Sequence, residues 1–137
     1  MSLLYIDTNL FINVINNEVS MHSNKNMAEP ASRLFFDALS CKHRLLISTW
    51  TINELYRIKS YEQFTMTLEL CKKKIVIIEH DAFDKESAMK KSPDNWQDAL
   101  HIILAQKGKA DFIVTRNISD FVEIGSSIPI KKPEQLL

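Results

Sequence analysis

Four acids in this chain stand where they can act together. Asp7 closes the apolar run that starts at Leu3, Glu54 lies in Thr-Ile-Asn-Glu-Leu, Asp98 opens Asp-Ala-Leu-His-Ile-Ile-Leu-Ala, and Asp120 ends Thr-Arg-Asn-Ile-Ser-Asp. One acid at such a place is a cap, whereas several that converge make a metal site. Oxygen ligands without a matching cluster of Cys or His favour magnesium or manganese over zinc. An ion of that kind lowers the pKa of a bound water and stabilises charge on a phosphodiester under attack, a task that needs carboxylates but no protein nucleophile.

Each acid also has a purely structural reading. Thr51 and Glu54 fit a capping box, in which the glutamate reaches back to a backbone N–H. Asp94, four residues before Asp98, complements a helix dipole, and Asp98 itself is an ordinary solvated acid. Asp94 and Asp98 on one helix edge repel by about 0.3 kcal/mol unless a cation or the helix terminus offsets it. Asn117 caps the helix that follows it, and Asp120 completes a box of the same kind. The order of the elements weighs towards a joint site. Asp7 and the segment from Asn117 to Asp120 both follow predicted strands, Glu54 begins the helix after a strand, and in a parallel sheet these points share one end.

The elements that must do this positioning are legible in order. Residues Leu3 to Asp7 read as a buried strand followed by a helix over Leu10, Phe11, Val14 and Ile15, with Thr8 or Asn9 as its cap. Asn16 to Glu29 reads as a surface loop or irregular hairpin, and a second helix runs from Pro30 through Leu34, Phe35, Ala38 and Leu39. Arg44 to Ser48 is the second strand, and Thr49 or Thr51 opens the helix that carries Glu54. An amphipathic helix spans Tyr61 to Lys73, Ile75 to Ile78 is a third strand, and Ala82 to Lys91 a short helix. Ser92-Pro93-Asp94 is a helix start, with the helix running to Lys107 and stopped by Gly108. Phe112 to Thr115 is a fourth strand, Asn117 to Val122 a short helix, and Ile128 to Ile130 an edge strand, where proline is tolerated. Apolar strands alternating with helices argue for an α/β domain with a mostly parallel sheet covered on both faces.

At 137 residues the chain suits one domain with a single core, residues 1–137. Lys plus Arg and Asp plus Glu are both 17, so net charge gives no general attraction to nucleic acid or membrane, and a polyanion must be met by a local patch. Arg116 beside the acids, and Arg57 and Lys59 after Glu54, are the candidates for holding phosphates. Trp50 and Trp96 suit interface or core packing, or stacking on a base. His101 reads as a polar-edge helix residue. Cys41 and Cys71 lack metal or disulfide spacing and suit reduced thiols. No signal peptide or membrane span is visible, and the expected location is cytoplasmic.

Taken in order, Asp7-Thr8-Asn9, Glu54 in its motif, Asp98 in its motif, and Thr115-Arg116-Asn117 with Asp120-Phe121 resemble the motifs of PIN-domain nucleases, especially small stand-alone VapC-type toxins. The likeness runs from Leu3 to Phe121. It implies a three-layer α/β/α sandwich, magnesium- or manganese-dependent endoribonuclease cleavage of RNA, homodimerisation and, for the toxin branch, an antitoxin lying over the acidic groove. One departure stands out: many members have an acid where this chain has Asn117, and others have it where Asp120 stands, so either residue is the fourth site group. Asn9 and Thr115 are then candidates for orienting a carboxylate or a water. A haloacid-dehalogenase-type phosphotransferase needs a second aspartate where Asn9 stands, and a receiver domain needs an acidic pair and a lysine that are missing. A degenerate PIN fold that binds RNA or a protein without cutting is the competing reading.

Overall fold

The computed structural model describes residues 2–16, 19–20, 25–26, 37, 42–57, 62, 65–66, 68–69 and 72–136. Its elements are β1 (Ser2–Ile6), α1 (Thr8–Asn16), β2 (Val19–Ser20), β3 (Lys25–Asn26), β4 (His43–Ser48), α2 (Thr49–Tyr56), β5 (Ile75–Ile78), α3 (Ala82–Lys91), α4 (Trp96–Lys107), β6 (Phe112–Val114), α5 (Ile118–Ile124) and β7 (Ile130–Lys131). Five strands pair in parallel in the order β5-β4-β1-β6-β7, while β2 and β3 form a small antiparallel pair.

The apolar runs are strands because both faces of the sheet are covered. Alternate residues feed two cores. Leu4 and Ile6 of β1, Leu45 and Ile47 of β4, and Val114 of β6 pack with Leu10, Phe11 and Leu55 from α1 and α2. Tyr5, Leu46 and Ile113 point the other way, onto Ala88 of α3, Ala99, Leu100, Ile102, Leu104 and Ala105 of α4, and Phe121 of α5. The result is the expected three-layer α/β/α sandwich around a parallel sheet. From β1 the chain winds outward through β4 to β5, then returns past β1 to β6 and β7. The connections that leave β1 and β6 therefore diverge, and the crevice between their carboxyl ends is the topological switch point.

Several boundaries differ from the sequence reading, each for a local reason. Ser48, not Thr49 or Thr51, caps α2: its extended backbone (φ −88°, ψ 153°) puts its hydroxyl where it accepts from the Thr51 N–H at 3.1 Å. Helix α4 starts at Trp96 rather than Ser92, because Ser92 is still bonded to α3 through its N–H to Ala88 O at 3.0 Å. Asp94 is thus exposed in the turn before α4, not on the helix with Asp98. The edge strand falls at Ile130–Lys131, one to two residues later than expected. Gly108 ends α4 with an ordinary φ of −84°, while Lys109 takes the left-handed conformation at φ 58°. Gly108 is needed for space: a Cβ there would run into the Leu46 side chain.

The helix expected from Pro30 to Leu39 lies outside the described residues but for Asp37, as do Cys41, Cys71 and Lys59. Of the Tyr61 to Lys73 helix, the described Glu62, Thr65, Met66, Leu68 and Glu69 are helical, and Lys72–Lys74 form a 3-10 turn. Among the described residues no helix is long and apolar enough to cross a membrane.

Candidate active site

Buried polar side chains are costly unless paired, so their distribution is informative. Among the described residues they are Asp7, Thr8, Ser48, Thr51, Asp84, His101 and Thr115. All but Asp84 gather at the carboxyl ends of β1, β4 and β6.

Asp7 sits directly after β1, its N–H bonded to Val114 O at 3.1 Å, so the carboxylate enters the switch-point crevice and is only 4% exposed. Thr115, just past β6, donates its hydroxyl to Asp7 Oδ2 at 2.9 Å and so spans the two diverging strands. Asn9, in the first turn of α1, is exposed. Thr8 does not cap that helix with its hydroxyl, which donates instead to Glu54 Oε1 at 2.8 Å and lies 3.3 Å from Thr51 Oγ1.

Glu54 is not a capping residue. With the helix opened by Ser48, its side chain has passed the first turn, out of reach of the free N–H groups. It turns across the sheet end, where His101 Nε2 stands 3.2 Å from Oε1. The same nitrogen is 3.8 Å from Asp7 Oδ1. Burial alone would raise the pKa of Glu54. The hydrogen bond and charge of His101, the Thr8 hydroxyl and Arg57 outweigh it and hold the carboxyl below its usual range.

His101 is the residue that sequence reasoning placed wrongly. It is fully enclosed rather than on a polar edge, with Nδ1 2.6 Å from the Tyr5 hydroxyl. Its position inside the apolar run from Ala99 to Leu104 was the available signal, since an imidazole there must be paired. Burial disfavours its cation, but Tyr5, Glu54 and Asp7 more than compensate and hold the ring proton well above the usual histidine range. With both ring nitrogens donating, the polar chain has one consistent direction. His101 donates to Glu54 and to Tyr5, the Tyr5 hydroxyl donates to Ser48 Oγ at 2.9 Å, and Ser48 donates to Thr51 Oγ1 at 3.2 Å.

Asp98, in the first turn of α4, is half-buried. Burial and then the negative field of Asp7 raise its pKa, with Asp120 and Glu54 adding and His101 opposing. Asp98 therefore lies within the fields of the other three acids. Asp120, in the first turn of α5, accepts from Asn117 Nδ2 at 2.7 Å, and the Asn117 N–H donates to Thr115 Oγ1 at 3.0 Å. Neither side chain makes the capping bonds that the sequence suggested; they bond each other. Arg57 is exposed at the end of α2, and Arg116 is paired with Glu134 at 2.8 Å. Among the described residues no three His, Cys, Asp or Glu side chains share one coordination shell. The Asp7 and Glu54 carboxylates face His101 and the threonine hydroxyls instead.

A parallel α/β/α sandwich with acids and hydroxyls gathered at its switch point defines a class of fold and site. Residues 4–119 match the PIN domain family model, most of the chain, and the chain belongs to that family. It is similar in fold to a chain of VapBC2 from Rickettsia felis bound to a DNA fragment from its promoter (20% identity, 95% and 98% of the two chains covered, TM-score 0.60). It is similar also to a chain of VapBC-1 from nontypeable Haemophilus influenzae (17%, 96% and 98%, TM-score 0.55) and to one of FitAB bound to an IR36 DNA fragment (14%, 96% and 95%, TM-score 0.62). At these identities the likeness is one of fold. No match was found among curated proteins.

Proposed function

We propose that this chain, as one domain, is a divalent-metal-dependent endoribonuclease and the toxin of a toxin–antitoxin pair. The observation that carries the reading is that Asp7, directly after β1, and Glu54, on helix α2, face one imidazole nitrogen while Asp98 shares their field. Side chains that repel in the absence of an ion and offer only hard oxygens suit magnesium or manganese. Asp7, Glu54 and Asp98, with Asp120 or Asn117 as the outer partner, would hold it after rotating from their present hydrogen bonds. When bound, the ion supplies an activated water and neutralises charge on the RNA phosphodiester. Thr115 and Thr8 fix the Asp7 and Glu54 carboxylates, Asn117 restrains Asp120, and Asn9 stands exposed at the site's rim. Arg57 and Arg116 are assigned to the RNA backbone, Arg116 by exchanging Glu134 for phosphate.

The solved neighbours named as VapBC and FitAB assemblies support an antitoxin as partner, and a cytoplasmic setting is part of the proposal. A homodimer goes with this reading, and exposed apolar side chains such as Phe83 on α3 and Ile77 on edge strand β5 are available to a second copy of the chain. A second reading, binding of RNA or a protein without cleavage, is favoured by one feature: His101 already occupies the space between Glu54 and Asp7. Incubating the protein with a mixed single-stranded RNA pool, in manganese and in chelator, separates the two. Cleavage in manganese that is lost in Asp7→Asn supports the nuclease, and binding without cleavage supports the alternative.

A further inference from the structure

A groove of about 410 Å³ opens beside Glu54, lined by Trp50, Glu54, Arg57, Lys85, Trp96 and Gln97. Three helices contribute to it, α2, α3 and the start of α4. The rings of Trp50 and Trp96 are in contact, with centroids 5.5 Å apart and planes tilted at 56°. Lys85 Nζ lies 5.6 Å from the Trp50 ring and 5.3 Å from that of Trp96. Trp50 is held by its ring contacts with Trp96 and His80, since its indole N–H is buried without an acceptor among the described residues.

Core packing explains why two tryptophans touch. It does not explain two cations and an amide on the wall of a groove that ends at an acid of the candidate active site. We infer that this groove is a nucleobase subsite for single-stranded RNA, taking the nucleotide next to the phosphodiester at the acids; this rests on the ribonuclease reading above. The base stacks on the indole platform, a sequence-tolerant contact because every base has a π face. Lys85 moves from the rings to a backbone phosphate, Arg57 meets the phosphate nearer Glu54, and Gln97 faces a base edge. Two cations against one carboxylate give the groove the charge that the chain as a whole lacks.

The chain's two tryptophans are both in this groove, so tryptophan fluorescence reports on it alone. The full-length protein is titrated in chelator, where no cleavage is required, with hexaadenylate and with an abasic ribose-phosphate hexamer of equal charge. The expected result is quenching by hexaadenylate and binding roughly tenfold tighter than the abasic hexamer, a ratio expected of one stacked base. Trp96→Leu should bring the two ligands close to parity while leaving abasic affinity unchanged, and Lys85→Met should weaken both. Trp96→Phe, which keeps an aromatic face and leaves Trp50 as reporter, should retain most of the preference. Equal binding of the two hexamers by wild type overturns the subsite and leaves the nuclease reading standing. Failure of both to bind overturns the subsite and counts against RNA as ligand. Quenching by a tryptophan-free acidic peptide but not by hexaadenylate assigns the groove to a protein segment and likewise overturns the proposal.

Discussion

His101 Nε2 lies 3.2 Å from Glu54 Oε1, so the end of α2 is tied to the middle of α4 across the carboxyl edge of the sheet. The contact supplies a positive charge where the neighbouring acids most need one. In the metal-free protein the His101 ring should therefore titrate well above 6.5, the usual histidine value. Ring resonances followed against pH by NMR check this. Asp7→Asn and Glu54→Gln should each move the titration down, and an unshifted ring in wild type would contradict the ion-pair assignment.

The same pairing makes stability depend on pH from both sides. A histidine raised in the folded state contributes fully below 6.5, and that contribution is lost as pH rises through its higher folded value. Glu54, lowered in the folded state, contributes above 4.5 and loses its share as pH falls through its lower folded value. Asp98 acts in the opposite sense to Glu54, since its raised pKa makes ionisation above 3.8 destabilising. Thermal melting of the metal-free protein should fall as pH is raised above 6.5, and Asp98→Asn should melt higher than wild type near neutrality.

Magnesium or manganese should relieve the repulsion that Asp98 feels and raise the melting temperature by mass action, by about 2.7 kcal/mol of stability at a hundredfold excess over Kd. The rise should be smaller in Asp7→Asn and Asp98→Asn. An equal rise in both variants would place the ion elsewhere.

The end of α4 gives a test of the fold independent of the site. Gly108→Ala should cost about 1–3 kcal/mol by driving its methyl into buried Leu46. Lys109→Gly should stabilise by about 0.5–1 kcal/mol, because Lys109 holds a left-handed conformation that glycine adopts freely. Chemical denaturation of the two variants measures both effects, which have opposite signs.

How far the molecule was legible in its sequence follows from which interactions are local. Buried strands covered on both faces read as apolar runs, so Leu4 to Ile6 and Phe112–Val114 were recognisable, and Ala82–Lys91 carries its own capping box through Asp81 and Asp84. That Asp7, Glu54 and Asp120 stand at one end of the sheet followed from strand order, whereas Asp98 entered the set through the resemblance of its motif. Contacts between distant segments were not legible. Thr51 and Glu54 imitate a capping box, yet the cap comes from Ser48 and the glutamate is claimed by Thr8 and His101. Ser92-Pro93-Asp94 imitates a helix start, yet Ser92 is already committed to α3. Tyr5 looked like one more apolar strand residue, and only the sheet's geometry shows its hydroxyl meeting His101 and Ser48.

The most direct test of the central claim is RNA cleavage by Glu54→Gln. Glutamine keeps the shape of the side chain and an acceptor for the Thr8 hydroxyl, so the folded structure should persist, as circular dichroism and melting will show. It removes the charge a divalent ion needs. Wild type should cleave a mixed single-stranded RNA pool in manganese and be silent in chelator, while folded Glu54→Gln should lose at least roughly tenfold in rate. Full activity in Glu54→Gln, or cleavage by wild type in chelator, would contradict the assignment of these acids to a metal-dependent nuclease site.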